Sequence, residues 1–284
     1  MAFDLYFVGC SPKYGAKKFL YSQYSNRTQI KQISPLAISG DVKLFLDCGA
    51  WTAHTKGITI DIDEYIDYVN LNEHFISCVA SLDIIPGLPE SVTVSDVVTG
   101  AKRSWENFLY MRHRVNDANK LLPTFHQGEH FDNLIRMLTY EDDMGTIEYI
   151  GIGAVASTLD KAVRNNFISK CFDIILSYRP DVKVHAFGMT DLNILERYPF
   201  YSADSSTWAL AGAMGEIITD FGRIAVSNKQ INNTKYALRT PEQRRAVRDY
   251  IERFGFDLED LENDAESRKR FNVQYLMNWE NNYK

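Results

Sequence analysis

Lys43-Leu44-Phe45-Leu46-Asp47-Cys48-Gly49-Ala50-Trp51 sets three large apolar residues in a row, closes them with a carboxylate and follows with a glycine turn. An apolar run this short, bounded by turn residues, reads as a strand. Seven other runs have the same character: Phe3–Val8, Ile76–Asp83, Leu121–His126, Glu148–Gly153, Val182–Phe187, Phe200–Asp204 and Arg223–Ser227. Most are followed by a segment long enough for a helix, and helical periodicity is clearest over Ile62–Leu71, Ser95–Asn116, Phe131–Tyr140, Leu159–Tyr178 and Pro241–Phe254. Thr240 before Pro241 predicts an N-cap followed by proline in the first turn. Strand and helix alternating eight times predicts an α/β protein, a (β/α)8 TIM-type barrel forming one domain over residues 1–284. Residues 255–284 read as a C-terminal helical extension, a charged run over Glu259–Arg270 followed by aromatics that dock as a last helix.

Composition bounds the function. With 284 residues, 45% hydrophobic and 24% charged, the chain is neither fibrous nor disordered. No apolar run approaches the roughly 20 residues a bilayer-spanning helix needs, and Met1–Ser11 lacks a basic start and cleavage site, so a cytoplasmic protein with no membrane partner is expected. Cys10, Cys48, Cys78 and Cys171 are scattered without a C-x-x-C pair, which predicts reduced thiols and no zinc subdomain. The net charge of −6 means that any nucleic-acid contact must come from local basic clusters. Two are candidates, Lys13, Lys17, Lys18, Arg27 and Lys31 after the first strand, and Arg239, Arg244, Arg245 and Arg248 after the last; solvated helix faces explain them equally well.

Barrels of this type build their sites at the carboxyl ends of the strands. That rule selects Asp47 with Gly49 and Trp51, then Asp83, His126-Gln127-Gly128, Gly151-Ile152-Gly153, His185-Ala186-Phe187-Gly188 and Asp204-Ser205-Ser206. Each has a plainer reading: the aspartates as helix caps, the glycines as turns, the aromatics as core, the lone histidines as hydrogen-bond donors. Three carboxylates closing three apolar strands are harder to assign jointly to capping, because an unpaired buried carboxylate costs several kcal/mol.

In this order the segments resemble the tRNA-guanine transglycosylase superfamily, most closely its phage and bacterial members that place 7-deazaguanines in DNA. Asp47-Cys48-Gly49-Ala50-Trp51 is similar to the family's Asp-Ser/Thr-Gly-Gly-Phe/Tyr segment, Ser81-Leu82-Asp83 to the segment carrying its base-reading aspartate, and His126-Gln127-Gly128 to its Gln-Gly-Gly turn. Gly151-Ile152-Gly153 resembles its glycine strand, and Ser202-Ala203-Asp204-Ser205-Ser206 sits where the nucleophile lies. The resemblance covers about residues 43–215. It implies a pentosyltransferase that needs no cofactor or metal, whose partners are DNA, with its guanine flipped or single-stranded, and a 7-deazaguanine base. Asp204 is implied as nucleophile and Asp47 as general acid and base. Asp83 is implied to read the base edge, Gln127 and Gly153 to donate to its O6, and Trp51 and Phe187 to hold its faces, with Gly49 and His185 lining the site. The family's zinc-binding Cys-x-Cys-x-x-Cys stretch is missing, which favours DNA over tRNA, and leaves a protein partner open. Two other readings stay open: a metal-dependent barrel hydrolase using His126, His185 and the aspartates, and a non-catalytic nucleic-acid-binding subunit.

Overall fold

A computed structural model describes residues 3–86, 92–153, 160–189, 191–227, 236 and 239–283. The chain divides into two compact units, one of residues 1–9 and 17–204, the other of residues 10–16 and 205–284.

The larger unit contains strands β1 (Asp4–Val8), β2 (Lys18–Ser22), β3 (Lys43–Asp47), β4 (Cys78–Ala80), β5 (Leu121–Leu122), β6 (Thr124–His126), β7 (Glu141–Asp142), β8 (Gly145–Thr146), β9 (Tyr149–Gly153), β10 (Lys183–Ala186) and β11 (Ser202–Ser205). Its helices are α1 (Arg27–Ile38), α2 (Ala50–Lys56), α3 (Ile62–Asn72), α4 (Val94–Arg112), α5 (Phe131–Thr139), α6 (Lys161–Tyr178) and α7 (Leu192–Arg197). Strands β7 and β8 form a small antiparallel ribbon. The other nine make one parallel sheet in the order β5-β4-β3-β2-β1-β11-β10-β9-β6, flanked by helices. Its two outer members, β5 and β6, are separated in sequence only by Pro123, so the sheet curls nearly to closure.

The opening segment behaves as its sequence predicts: Leu44, Phe45 and Leu46 in β3 are fully buried. The barrel-like interior is filled by Tyr6, Leu20, Phe45, Cys78, Ala80, Leu122 and Tyr149, with Val8 and Phe187 packed against them. Caps fix where the helices begin. The Asp61 carboxylate accepts from the amides of Asp63 and Glu64, and Thr93 forms a reciprocal capping box with Asp96.

Two strand expectations are corrected. Arg223–Ser227 does not join this sheet; Gly222–Ala225 pairs antiparallel with Glu216–Thr219 through a turn at Asp220-Phe221. Lys18–Ser22 supplies a strand instead, in register with β3 from Lys18↔Lys43 to Ser22↔Asp47. Asp47 therefore ends the third strand rather than the second. The expected first basic cluster changes with it. Lys18 and Lys43, at the starts of β2 and β3, place their ammonium groups 2.8 and 2.6 Å from the carboxylate of Asp4, at the start of β1. Lys18 thus serves the foot of the strands, and Lys17, whose carbonyl accepts from the Lys43 amide, lies at that same end. Arg27 and Lys31 sit on α1, beyond the carboxyl end of β2.

The second unit holds a 3-10 turn (Pro12–Tyr14), α8 (Thr207–Ala213), β12 (Glu216–Thr219), β13 (Gly222–Ala225), α9 (Pro241–Arg253), α10 (Leu258–Asn263) and α11 (Ala265–Asn282). Thr240 caps α9 with a capping box to Gln243 and proline follows, as expected. Arg268 on α11 is buried and donates to the carbonyls of Gly212 and Leu261, tying α11 to α8 and α10. Lys13 pairs with Glu266 inside this unit. Arg244, Arg245 and Arg248 lie exposed on α9, which follows no strand of the parallel sheet. No helix among the described residues is long and apolar enough to cross a membrane.

Candidate active site

The candidate carboxylates, histidines and glycines lie at or just after the carboxyl ends of β3, β4, β6, β9, β10 and β11. Gly49 follows β3 in the left-handed conformation at φ +84°, and its amide donates to Asp47 Oδ2 at 2.9 Å. A Cβ at Gly49 would lie 2.4 Å from the Ser22 hydroxyl, so glycine is demanded twice over, by backbone and by crowding. One oxygen of Asp47 is thus oriented by the turn it precedes. Burial raises the Asp47 pKa; the Gly49 amide opposes that, and the negative charges of Asp204 and Asp83 add to it, bringing it to about 7. The charges of Asp204 and Asp83 therefore both reach Asp47.

Asp83 and His126 form a second group. His126 Nε2 lies 3.4 Å from Asp83 Oδ2, and Nδ1 lies 3.1 Å from Glu129 Oε1. Glu129 also accepts from the His126 amide at 3.0 Å and from the Asn133 side chain at 3.0 Å, which fixes it behind the ring. Burial by itself lowers the His126 pKa, but the flanking carboxylates outweigh it and raise it to about 10, so the ring is a cation at neutral pH. Asp83 Oδ1 is buried and has no hydrogen-bond partner among the described residues.

The third group surrounds Asp204, which is 6% exposed. Asp204 Oδ1 accepts from the Gly188 amide at 2.9 Å and from His185 Nε2 at 3.2 Å. The fully buried His185 turns its other nitrogen to Ser202 Oγ, which in turn contacts the Tyr149 hydroxyl. Burial lowers the His185 pKa more than the Asp204 charge raises it, so this ring is neutral. Two histidines in one site thus carry different charges because one lies between two carboxylates and the other faces one.

The aromatic and glycine positions divide. Phe187 packs edge-on against His185 and Phe45, with centroids 4.4 and 5.7 Å apart. Trp51 is 55% exposed on α2, and its nearest ring is His54 at 6.4 Å; it is not brought into ring contact with Phe187 or His185. Glycine at 151 and 153 makes room for rings. A Cβ would fall 2.5 Å from Phe187 Cε2 at Gly151 and 2.7 Å from His126 Cδ2 at Gly153. The Gly153 carbonyl accepts from the Gln127 amide, so both expected O6 donors sit on adjacent strand ends.

Glu129, Ser202 and Tyr149 escaped the sequence reading. Glu129 stands three residues after His126 in the same turn, a spacing that could have marked it. Ser202 and Tyr149 carried no signal, because only the pairing of β9, β10 and β11 brings them to His185. Both ring nitrogens of His126 and of His185 are engaged by protein groups. Among the described residues, the one cluster whose potential ligand atoms lie within 4.8 Å of one another is His113, Asp142 and Asp143, away from these strand ends. The sequence matches no protein-family model, and no curated protein is significantly similar to it.

Proposed function

We propose that this chain is a transglycosylase that exchanges guanine in DNA for a 7-deazaguanine base, working in a (β/α)8 barrel in which Leu121–His126 counts as one strand bent at Pro123. The observation that carries the reading is the buried Oδ1 of Asp83, unpartnered among the described residues, on a carboxylate whose charge, like that of Asp204, reaches Asp47. An ionisable oxygen buried without a donor costs free energy, and a ligand N–H arriving there removes that cost. Guanine's pairing edge presents two N–H donors beside one carbonyl, so a carboxylate flanked by amide donors suits it and leaves adenine with unpaired partners.

In the first half-reaction a free oxygen of Asp204 attacks C1′, the C1′–N9 bond breaks with its electron pair leaving on guanine, and protonated Asp47 gives that base its proton. In the second, the Asp47 carboxylate takes the N9 proton of the incoming base, whose nitrogen attacks C1′ and expels Asp204. Two displacements retain the configuration. An acid with a pKa of about 7 serves both halves near neutrality, since it is as ready to give a proton as to take one. Arg27 and Lys31 are the basic residues of the first cluster that remain candidates for phosphate contact.

The test is incubation with DNA and isotope-labelled guanine or 7-deazaguanine, followed by mass spectrometry of the nucleosides and of a trapped Asp204 adduct. Incorporation of label supports the reading. Release of guanine with no incorporation makes the protein a hydrolase, and binding without either makes it a non-catalytic subunit.

A further inference from the structure

Four side chains on three adjacent strands form a hydrogen-bonded line: Tyr149 on β9, Ser202 on β11, His185 on β10 and Asp204 on β11. Its direction follows from proton counting. Ionised Asp204 only accepts, so His185 Nε2 must carry a hydrogen; the neutral ring then has a bare Nδ1, which must receive one. Ser202 is the donor in contact with Nδ1, and having given its proton it accepts from Tyr149. The reverse order would face an unprotonated nitrogen toward a carboxylate.

We propose that Ser202 and Tyr149 are positioning residues for the Asp204 nucleophile, acting through His185: they lock its imidazole in the Nε2–H tautomer, which holds one Asp204 oxygen and leaves the other free to react. The catalytic part of this rests on the transglycosylase reading. The geometry supports it from both ends. Asp204 Oδ1 takes both the Gly188 amide and the His185 ring, while no hydrogen bond reaches Oδ2 among the described residues. Around the imidazole, Phe187, Phe45, Tyr6 and Tyr149 lie with centroids 4.4, 4.6, 6.2 and 6.5 Å away, so solvent cannot substitute for the Ser202 proton. Among the described residues, the titratable groups facing the ring are Asp204 on β11, Tyr149 on β9 and Tyr6 on β1, and of these Asp204 is the carboxylate. Removing the Ser202 hydroxyl leaves Nδ1 a buried acceptor without a donor, and the ring then gains from taking a second proton and pairing with Asp204 as a cation.

Nitrogen-15 NMR of the histidine rings reads this without substrate. The wild-type protein should show His185 with Nε2 protonated and Nδ1 bare from pH 5 to 8. Ser202→Ala should bring a second proton onto the ring within that range, and Ser202→Thr, which keeps the hydroxyl, should restore the wild-type pattern. In the exchange assay, Ser202→Ala and Tyr149→Phe should lower kcat by about 10- to 100-fold, the range for partners that orient a functional group, with KM for the base within about twofold. A wild-type ring with Nδ1 protonated, or a Ser202→Ala protein with unchanged ring protonation and unchanged kcat, overturns the proposal. Wild-type protein that shows the locked tautomer but exchanges no base sinks the transglycosylase reading and leaves the tautomer lock standing.

Discussion

The same sheet buries carboxylates at both of its ends and treats them in opposite ways. At the foot, Asp4 is 5% exposed and is met by two ammonium groups, from Lys18 and Lys43, on the neighbouring strands. At the carboxyl ends, the charges of Asp83 and Asp204 act on Asp47, and His126 lies between Asp83 and Glu129. Charge is compensated where nothing is asked of it and left in excess where strand ends meet. The carboxylate at the foot is paired, whereas Asp83 keeps one buried oxygen without a hydrogen-bond partner among the described residues.

The largest effect expected from this contrast is on turnover. Asp204→Asn should lower base exchange by at least about 10³-fold, as removal of a nucleophile does, while the melting temperature stays level or rises because one of three repelling charges is gone. A melting temperature that fell sharply would place Asp204 with the foot, as a structural group. A second test is Asp4→Ala, which strips two lysines of their partner. Urea unfolding should show a loss of about 1 kcal/mol, since both lysines can return to water, and exchange per folded molecule should not change.

The third effect concerns pH. The folded-state pKa of Asp47 is raised to about 7 against an ordinary value of 3.8, so the folded protein binds this proton more tightly than the unfolded chain. The stabilising contribution is complete below the ordinary value and is lost as pH rises through 7. Unfolding at a series of pH values should show this loss, on the order of a few kcal/mol, and Asp47→Asn should remove that slope. The exchange rate of the wild-type protein should report the same group. The smallest effect is on DNA binding: Lys18→Ala should leave the salt dependence of DNA affinity unchanged, whereas Arg27→Ala should reduce its log–log slope by about one. Equal effects would return Lys18 to the mouth.

Much of the architecture was legible because buried parallel strands write themselves as unbroken apolar runs, and Leu44-Phe45-Leu46 is such a run. Lys18-Phe19-Leu20-Tyr21-Ser22 is just as apolar at its centre, but its lysine start follows Lys17 and groups it with the basic residues after the first strand. That lysine is there to pair with Asp4, a long-range contact with no local signature. Arg223-Ile224-Ala225-Val226-Ser227 has the composition of a strand and is largely one, yet the Asp220-Phe221-Gly222 turn before it marks a hairpin rather than a crossover. At the site, the aspartates were visible because each closes an apolar run. Trp51, implied by the resemblance to stack on a base, stands exposed on α2; sequence places a residue just past a strand without saying which way the next helix turns it. What stayed hidden were the supporting partners, Ser202, Tyr149 and Glu129, whose roles depend on register between strands.

The bare positions on β9 shape this site by what they lack. At Gly151 and Gly153 the space a methyl group would fill belongs to the rings of Phe187 and His126. Contact of this kind is steric, indifferent to ionic strength and to protonation. As Asp47 gains or sheds its proton near neutrality the attraction and repulsion among the carboxylates must change, but the room left for those two rings does not. The space for those two rings is thus set by shape alone, beside an aspartate whose charge changes near neutrality.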